Sequence, residues 1–215
     1  MHPTPPLLSL AAACLALSAC TVSTSTGQAS AGATAQAATA ADTSTPPASA
    51  TATKKTDVST ALAVGAQAPD FTAQAWLAGK AFDYSLAQSL AKGPVVLYFF
   101  PAAYTPGCNI EAHQFSQAID QFTAAGASVI GVTAGNADQL AKFSADNERC
   151  AGKFPVAADP GAKIAAEYGV VLDKKPEWSN RTSFVINRDG RIVAVHSDLS
   201  PEGHVEAMLA GVKSI

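Results

Sequence analysis

Cys108 closes the segment Pro101-Ala102-Ala103-Tyr104-Thr105-Pro106-Gly107-Cys108, and Glu111 follows three residues later. The apolar run Val95–Phe100 precedes this segment and a helix-period stretch follows it, so the cysteine falls at a strand-to-helix junction. The start of a helix carries partial positive charge and unpaired backbone N–H groups, which favour the thiolate. The thiolate is the reactive form of cysteine. The residue types around Cys108 therefore point to nucleophilic thiol chemistry.

The elements that must position this thiol are readable in outline. Val64–Phe71 is an extended, turn-rich entry. Val95–Phe100 suits a strand covered on both faces, and Ser128–Thr133 is a second buried strand. From Cys108 onward, Phe115, Ile119 and Phe122 recur at helical spacing, and Gly126 ends that helix. Asn136 with Gln139 resembles a capping box that opens a helix carrying Leu140 and Phe143. Asp159-Pro160 reads as the N-cap and first residue of another helix, which Gly169 stops. Thr182–Asn187 and Arg191–Val195 flank Asp189-Gly190, a hairpin signal. Ser200-Pro201 opens a last helix running to about Lys213. The order predicts an α/β layer fold with a central mixed sheet flanked by helices.

Of the 215 residues, the first 60 are poor in charge and dominated by Ala, Thr, Ser and Pro. The sequence is therefore divided into residues 1–19 as a signal peptide, 20–61 as a linker too poor in bulky apolar side chains to order itself, and 62–215 as one folded domain. Leu7–Ala19 is an apolar run too short to span a bilayer. Its end, Leu17-Ser18-Ala19-Cys20, resembles the bacterial lipobox, although Met1–Pro6 lacks the usual Lys or Arg. The expectation is an exported protein on the periplasmic side of a bacterial membrane, anchored by a lipid on Cys20. A linker of about 40 residues would reach roughly 35 Å. The net charge of −3, with basic residues clustered only as Lys54-Lys55 and Lys174-Lys175, argues against nucleic acid as a partner. Cys14 lies in the signal core, so Cys108 and Cys150 are the domain's thiols, and in an exported compartment such a pair often forms a disulfide. Two cysteines make no zinc site, and His2, His113, His196 and His204 are scattered, so no metal is expected.

The domain resembles the peroxiredoxin family (alkyl hydroperoxide reductase C and thiol-specific antioxidant proteins). Pro101, Thr105 and Cys108 match the family's Pro-x-x-x-Thr-x-x-Cys motif, and Arg181-Thr182-Ser183-Phe184 matches its later arginine-bearing strand. Tyr98-Phe99-Phe100-Pro101 with Thr105-Pro106-Gly107-Cys108 is most similar to the bacterioferritin-comigratory, or PrxQ, branch. The resemblance implies a thioredoxin-like fold and a thiol peroxidase that needs no metal, haem or flavin. It implies that Cys108 attacks the peroxide as the peroxidatic cysteine. Arg181 would stabilise the thiolate and donate to the peroxide, Thr105 would hold sulfur and peroxide oxygen through its hydroxyl, and Pro101 would shield the sulfur. Glu111 reads either as a support that orients Arg181 or a loop amide, or as an exposed carboxylate that complements the helix dipole. Many members of the branch carry a second cysteine five residues after the first. Here that position is His113, read as a solvated helix residue. Cys150, near the end of the Asn136 helix, is then the expected resolving cysteine, with a buried core thiol as the alternative. Trp178, just before Arg181, reads as a loop anchor. The branch implies a monomer served by thioredoxin or another dithiol donor. Two other readings, a thioredoxin-like disulfide exchanger and a non-catalytic binding lipoprotein, are weaker. The first needs a Cys-x-x-Cys pair, but position 105 is Thr; the second has no use for Pro101, Thr105, Cys108 and Arg181 together.

Overall fold

The computed structural model describes residues 61–215; the signal, Cys14, Cys20 and the linker lie outside the described residues. Elements follow one another as β1 (Thr72–Leu77), β2 (Lys80–Ser85), α1 (Leu86–Leu90), β3 (Val95–Phe99), α2 (Pro106–Ala124) and β4 (Ser128–Thr133). Then come α3 (Leu140–Ala145), β5 (Val156–Ala158), α4 (Lys163–Glu167), β6 (Val171–Leu172), β7 (Lys175–Ser179), β8 (Thr182–Ile186), β9 (Ile192–Ser197) and α5 (His204–Lys213). Seven strands form one mixed sheet in the order β2-β1-β5-β4-β3-β8-β9; β6 and β7 pair separately. The central strands β3, β4 and β5 run parallel, and the outer pairings are antiparallel. This is the mixed sheet that the element order predicts.

The continuous apolar run of β3 is explained by two-sided burial. Val95, Leu97 and Phe99 enter one core with α1 and α4, while Val96 and Tyr98 enter the other with α2, α3 and α5. Strand residues alternate faces, so a run without polar residues fits only a strand covered on both sides. Each large side chain buried there contributes about 1.5–3 kcal/mol. Tyr98 stacks on Phe115 of α2 with ring centroids 4.4 Å apart, which fixes α2 across the carboxyl end of β3.

Several element boundaries differ from the sequence expectation. Asn136 does not cap a helix with its side chain: it adopts a left-handed φ of 55°, and a 3₁₀ turn at Ala137–Gln139 precedes α3. Its amide instead donates to the Ala103 carbonyl at 2.8 Å. Asp159 does bind helix N–H groups, those of Ile164 and Ala165, but α4 starts at Lys163, so Pro160 lies outside it. The last helix opens at His204 behind left-handed Gly203, because Asp198 draws the Ser200 N–H into a tight turn. Gly126 and Gly169 end their helices with φ of 76° and 67°, as expected. The hairpin at Asp189-Gly190 forms, and the Asn187 side chain accepts from the N–H groups of Asp189 and Arg191.

Candidate active site

The loop between β3 and α2 is held by donors from neighbouring segments. The Ser179 hydroxyl donates to the Phe100 carbonyl at 2.9 Å, and that of Thr133 to the Pro101 carbonyl at 3.1 Å. Gly135 lies against the loop, where a Cβ would come within 2.4 Å of the Pro101 oxygen. These bonds occupy the loop carbonyls that a strand-to-helix junction would otherwise leave unpaired. Tyr104 sits at a left-handed φ of 62°, a strain of about 1–2 kcal/mol for a residue with a Cβ. Its ring stands edge-on to Phe143, its hydroxyl faces Asp146 at 3.4 Å, and the Arg149 guanidinium lies 5.6 Å from its centroid.

Cys108 is the third residue of α2 and is 1% exposed. Arg181 reaches it from the residue before β8: Nη2 donates toward the sulfur at 3.6 Å. The same guanidinium donates through Nη1 to Glu111 Oε2 and through Nε to the Leu199 carbonyl at 2.9 Å. One planar fork thus spans the sulfur, a carboxylate and a backbone carbonyl, which a lysine could not do. The approach depends on Gly107, where a Cβ would lie 2.9 Å from Arg181 Nη2. Burial lowers the Arg181 pKa, but the charges of Glu111 and Cys108 outweigh it and the net shift is upward. Arg181 therefore stays cationic beside the sulfur.

Glu111 is fully buried, so it is not the exposed first-turn carboxylate of the alternative reading. The structure brings together Cys108, Arg181 and Glu111, with Pro101 half-buried in the adjoining loop. Thr105 is the N-cap residue of α2, and its hydroxyl donates to the Ala102 carbonyl at 3.0 Å. With its hydrogen committed there, it offers lone pairs rather than a donor to anything that enters beside the sulfur.

Cys150 lies in a turn five residues beyond α3, not within the helix, and both domain cysteines are free thiols. It shares the cluster of Cys108, Tyr98 and Phe143. Burial pushes its thiol pKa up, and the Asp146 charge adds to the shift. His113 is half-buried on α2 and pairs through Nε2 with Gln117 at 3.0 Å. Trp178 is on β7, with Lys175 Nζ 3.1 Å from its ring centroid. Sequence reasoning missed Gly107, Ser183 and His204. No local signal marks the last two: Ser183 meets His204, and His204 faces Glu111, only through the packing of α5 on β8.

A buried thiol at a helix start, on a mixed sheet and under an arginine, defines the class: a thiol enzyme of thioredoxin-like architecture. The AhpC/TSA family model matches residues 64–195, and the chain belongs to that family. It is similar to the chloroplastic peroxiredoxin Q of Suaeda salsa, 30% identical over 162 residues, covering 75% of this chain and 72% of that protein. It is also similar to the crystal structure of peroxidoxin BcpB from Mycobacterium tuberculosis, with 32% identity and a TM-score of 0.62, covering 71% of this chain and 97% of that one. The AhpC structure of Enterococcus faecalis, at 19% identity and a TM-score of 0.61, shares the fold.

Proposed function

We propose that the chain reduces hydrogen peroxide and organic hydroperoxides to water and alcohols at Cys108. The thiolate attacks one peroxide oxygen, the O–O bond breaks, and the departing alkoxide or hydroxide takes a proton; the sulfur leaves as sulfenic acid. The observation that carries this reading is the Arg181 fork, charged and 3.6 Å from the sulfur, in a chain of the AhpC/TSA family. The guanidinium is preorganised for the charge that develops on the peroxide, where such donors act most strongly. Thr105 would accept from the peroxide O–H, and Pro101 would keep a competing donor away from the sulfur.

The Cys150 thiol would then attack the sulfenic sulfur, release water and form an intramolecular disulfide, which thioredoxin or another dithiol donor reduces. Support for this pairing is that Cys150 is the other thiol of the same core cluster. Because both thiols are buried, exposure of the segment around Cys150 or the start of α2 must precede it.

The domain would sit on a lipid anchor at Cys20, exported to the periplasmic side and monomeric, with residues 1–19 removed and 20–61 as tether. The export and the anchor rest on the Leu7–Ala19 run ending in Leu17-Ser18-Ala19-Cys20, and the monomeric state on the resemblance to the PrxQ branch. Labelling of wild type but not of Cys20→Ala by a clickable fatty acid supports the anchor, and equal labelling refutes it. Peroxide consumption by wild type and its loss in Cys108→Ser test the activity. Unchanged consumption in the variant would remove Cys108 from the reaction.

A further inference from the structure

Glu111 has one oxygen that its pair with Arg181 leaves over. Oε2 accepts from Arg181, while Oε1 is buried without a hydrogen-bond partner and faces His204 Nδ1 at 3.6 Å. His204 is itself fully buried. Its Nε2 lies 3.0 Å from the Asp198 carbonyl, which only accepts, so Nε2 carries a hydrogen. Nδ1 lies 2.8 Å from the Ser183 hydroxyl, which donates to a neutral ring or accepts from a charged one. The ring is therefore built to work with or without a proton on Nδ1. What the site cannot accommodate cheaply is an ionised Oε1 facing a neutral ring in a dry core.

Charge balance leads to the same place. Arg181 offsets one anion, either the Cys108 thiolate or the Glu111 carboxylate, and not both. The other titratable groups nearby do not close the gap. His196 stands edge-on to His204 from β9 at 4.5 Å, Asp198 follows β9, Tyr98 faces Glu111 from β3, and Glu202 precedes α5 at the surface. None of them gives Oε1 a hydrogen bond.

We infer that Glu111 holds a proton in the reduced protein because Nδ1 of a neutral His204, an acceptor beside Oε1, opposes its charge, and that His204 is thereby a positioning residue that leaves the Arg181 charge to Cys108 and the peroxide. This rests on Cys108 being the peroxidatic thiol. Burial pushes the Glu111 carboxyl up to about 8 against the pull of Arg181. Burial also takes His204 down to about 4, so near neutrality the proton resides on Glu111. When solvent takes that proton, no electron moves; Glu111 gains a full charge and competes with the sulfur for the guanidinium. Peroxide reduction then declines as pH rises through this range.

The test compares pH–rate profiles of peroxide consumption in wild type, His204→Gln and His204→Asn. Gln keeps a donor where Nε2 binds Asp198 and removes the acceptor at Nδ1; Asn does the reverse. The expected result is an alkaline limb that moves down by about one pH unit in His204→Gln, a tenfold change in proton affinity, and moves less in His204→Asn. The reverse order, or superimposable profiles, would mean that His204 only tethers Asp198 and would overturn the inference. In wild type alone, infrared titration should show a carboxylic C=O band, absent from Glu111→Gln, lost between neutral and mildly alkaline pH. Absence of that band from wild type also overturns it, whether or not the variants fold. A protein that consumes no peroxide at any pH while showing the band would instead refute the peroxidase reading.

Discussion

Cys108 and Cys150 occupy the same hydrophobic cluster at 1% and 0% exposure, yet their electrostatic surroundings are opposite. Cys108 stands at the start of a 19-residue helix and takes an N–H from a guanidinium. Cys150 lies in a turn outside any helix, with Asp146 as the nearby charge that raises its pKa further. Burial by itself protonates a thiol; a fixed cation and a helix N-terminus oppose that, and a carboxylate adds to it. One core can therefore hold two buried thiols in opposite electrostatic settings. Under the proposed mechanism Cys150 attacks only after its surroundings open.

The largest expected effect breaks the comparison at its centre. Cys108→Ser should reduce peroxide consumption to background, whereas Cys150→Ser should still consume the first equivalent. The two variants differ in the product. After one equivalent of peroxide, mass spectrometry should find an internal disulfide in wild type and a sulfenic or sulfinic Cys108 in Cys150→Ser. An internal crosslink that survives Cys150→Ser would exclude the pairing.

Arg181→Lys sharpens the electrostatic half of the contrast. An ammonium cannot reach the sulfur, Glu111 and the Leu199 carbonyl at once, so the charge-assisted bond to the sulfur should be lost. Such bonds contribute about 1.5–3 kcal/mol, or roughly ten- to a hundredfold in rate. A loss in peroxide rate constant below threefold would show that charge alone suffices and the fork does not matter. Glu111, left with a poorer partner, should also lower Tm, because a buried polar group that loses its hydrogen bond is costly.

Gly107→Ala tests the same contact with little change in chemistry. Alanine suits a helix better than glycine by about 1 kcal/mol, so Tm should hold or rise. The added Cβ would nonetheless displace Arg181 Nη2, and the peroxide rate should fall about tenfold, or 1.4 kcal/mol. A parallel loss of stability and rate would point to general disruption of α2.

These contrasts show what the sequence could and could not reveal. Cys108 and Arg181 stand in local motifs, and Gly126, Gly169 and Asp189-Gly190 punctuate their elements through backbone preferences that need no tertiary partner. The β1–β2 hairpin carries no such signal. Its turn is Ala78-Gly79, with Ala78 at a left-handed φ of 50°, and β2 is largely exposed at the sheet edge, so neither turn chemistry nor alternation marks it. Asn136 shows tertiary structure overriding a local rule: its amide serves the Ala103 carbonyl instead of a helix end. His204 is the clearest case of a residue invisible to local reading. It is polar and opens an ordinary amphipathic helix, and its meaning appears only where α5 lays it beside Glu111 and Ser183.

The smallest expected effect concerns what keeps the two thiols apart in the reduced protein. Tyr104 belongs to the Cys108 loop, whereas Asp146 and Arg149 frame the turn that carries Cys150. The three are joined by the Tyr104–Asp146 hydrogen bond, the Asp146–Arg149 pair at 3.6 Å and the guanidinium over the Tyr104 ring. This clasp ties the two segments together, and disulfide formation requires at least one of them to move. Each contact is partly exposed, so each contributes only about 0.5–1 kcal/mol. Arg149→Ala should therefore quicken the sulfenic-to-disulfide step by about two- to fivefold in single-turnover stopped flow, with the preceding peroxide step unchanged. It should also lower sulfinic acid accumulation under excess peroxide, because faster crosslinking leaves less sulfenic acid to oxidise again. A slower second step would mean that the clasp guides Cys150 toward Cys108 instead of restraining it.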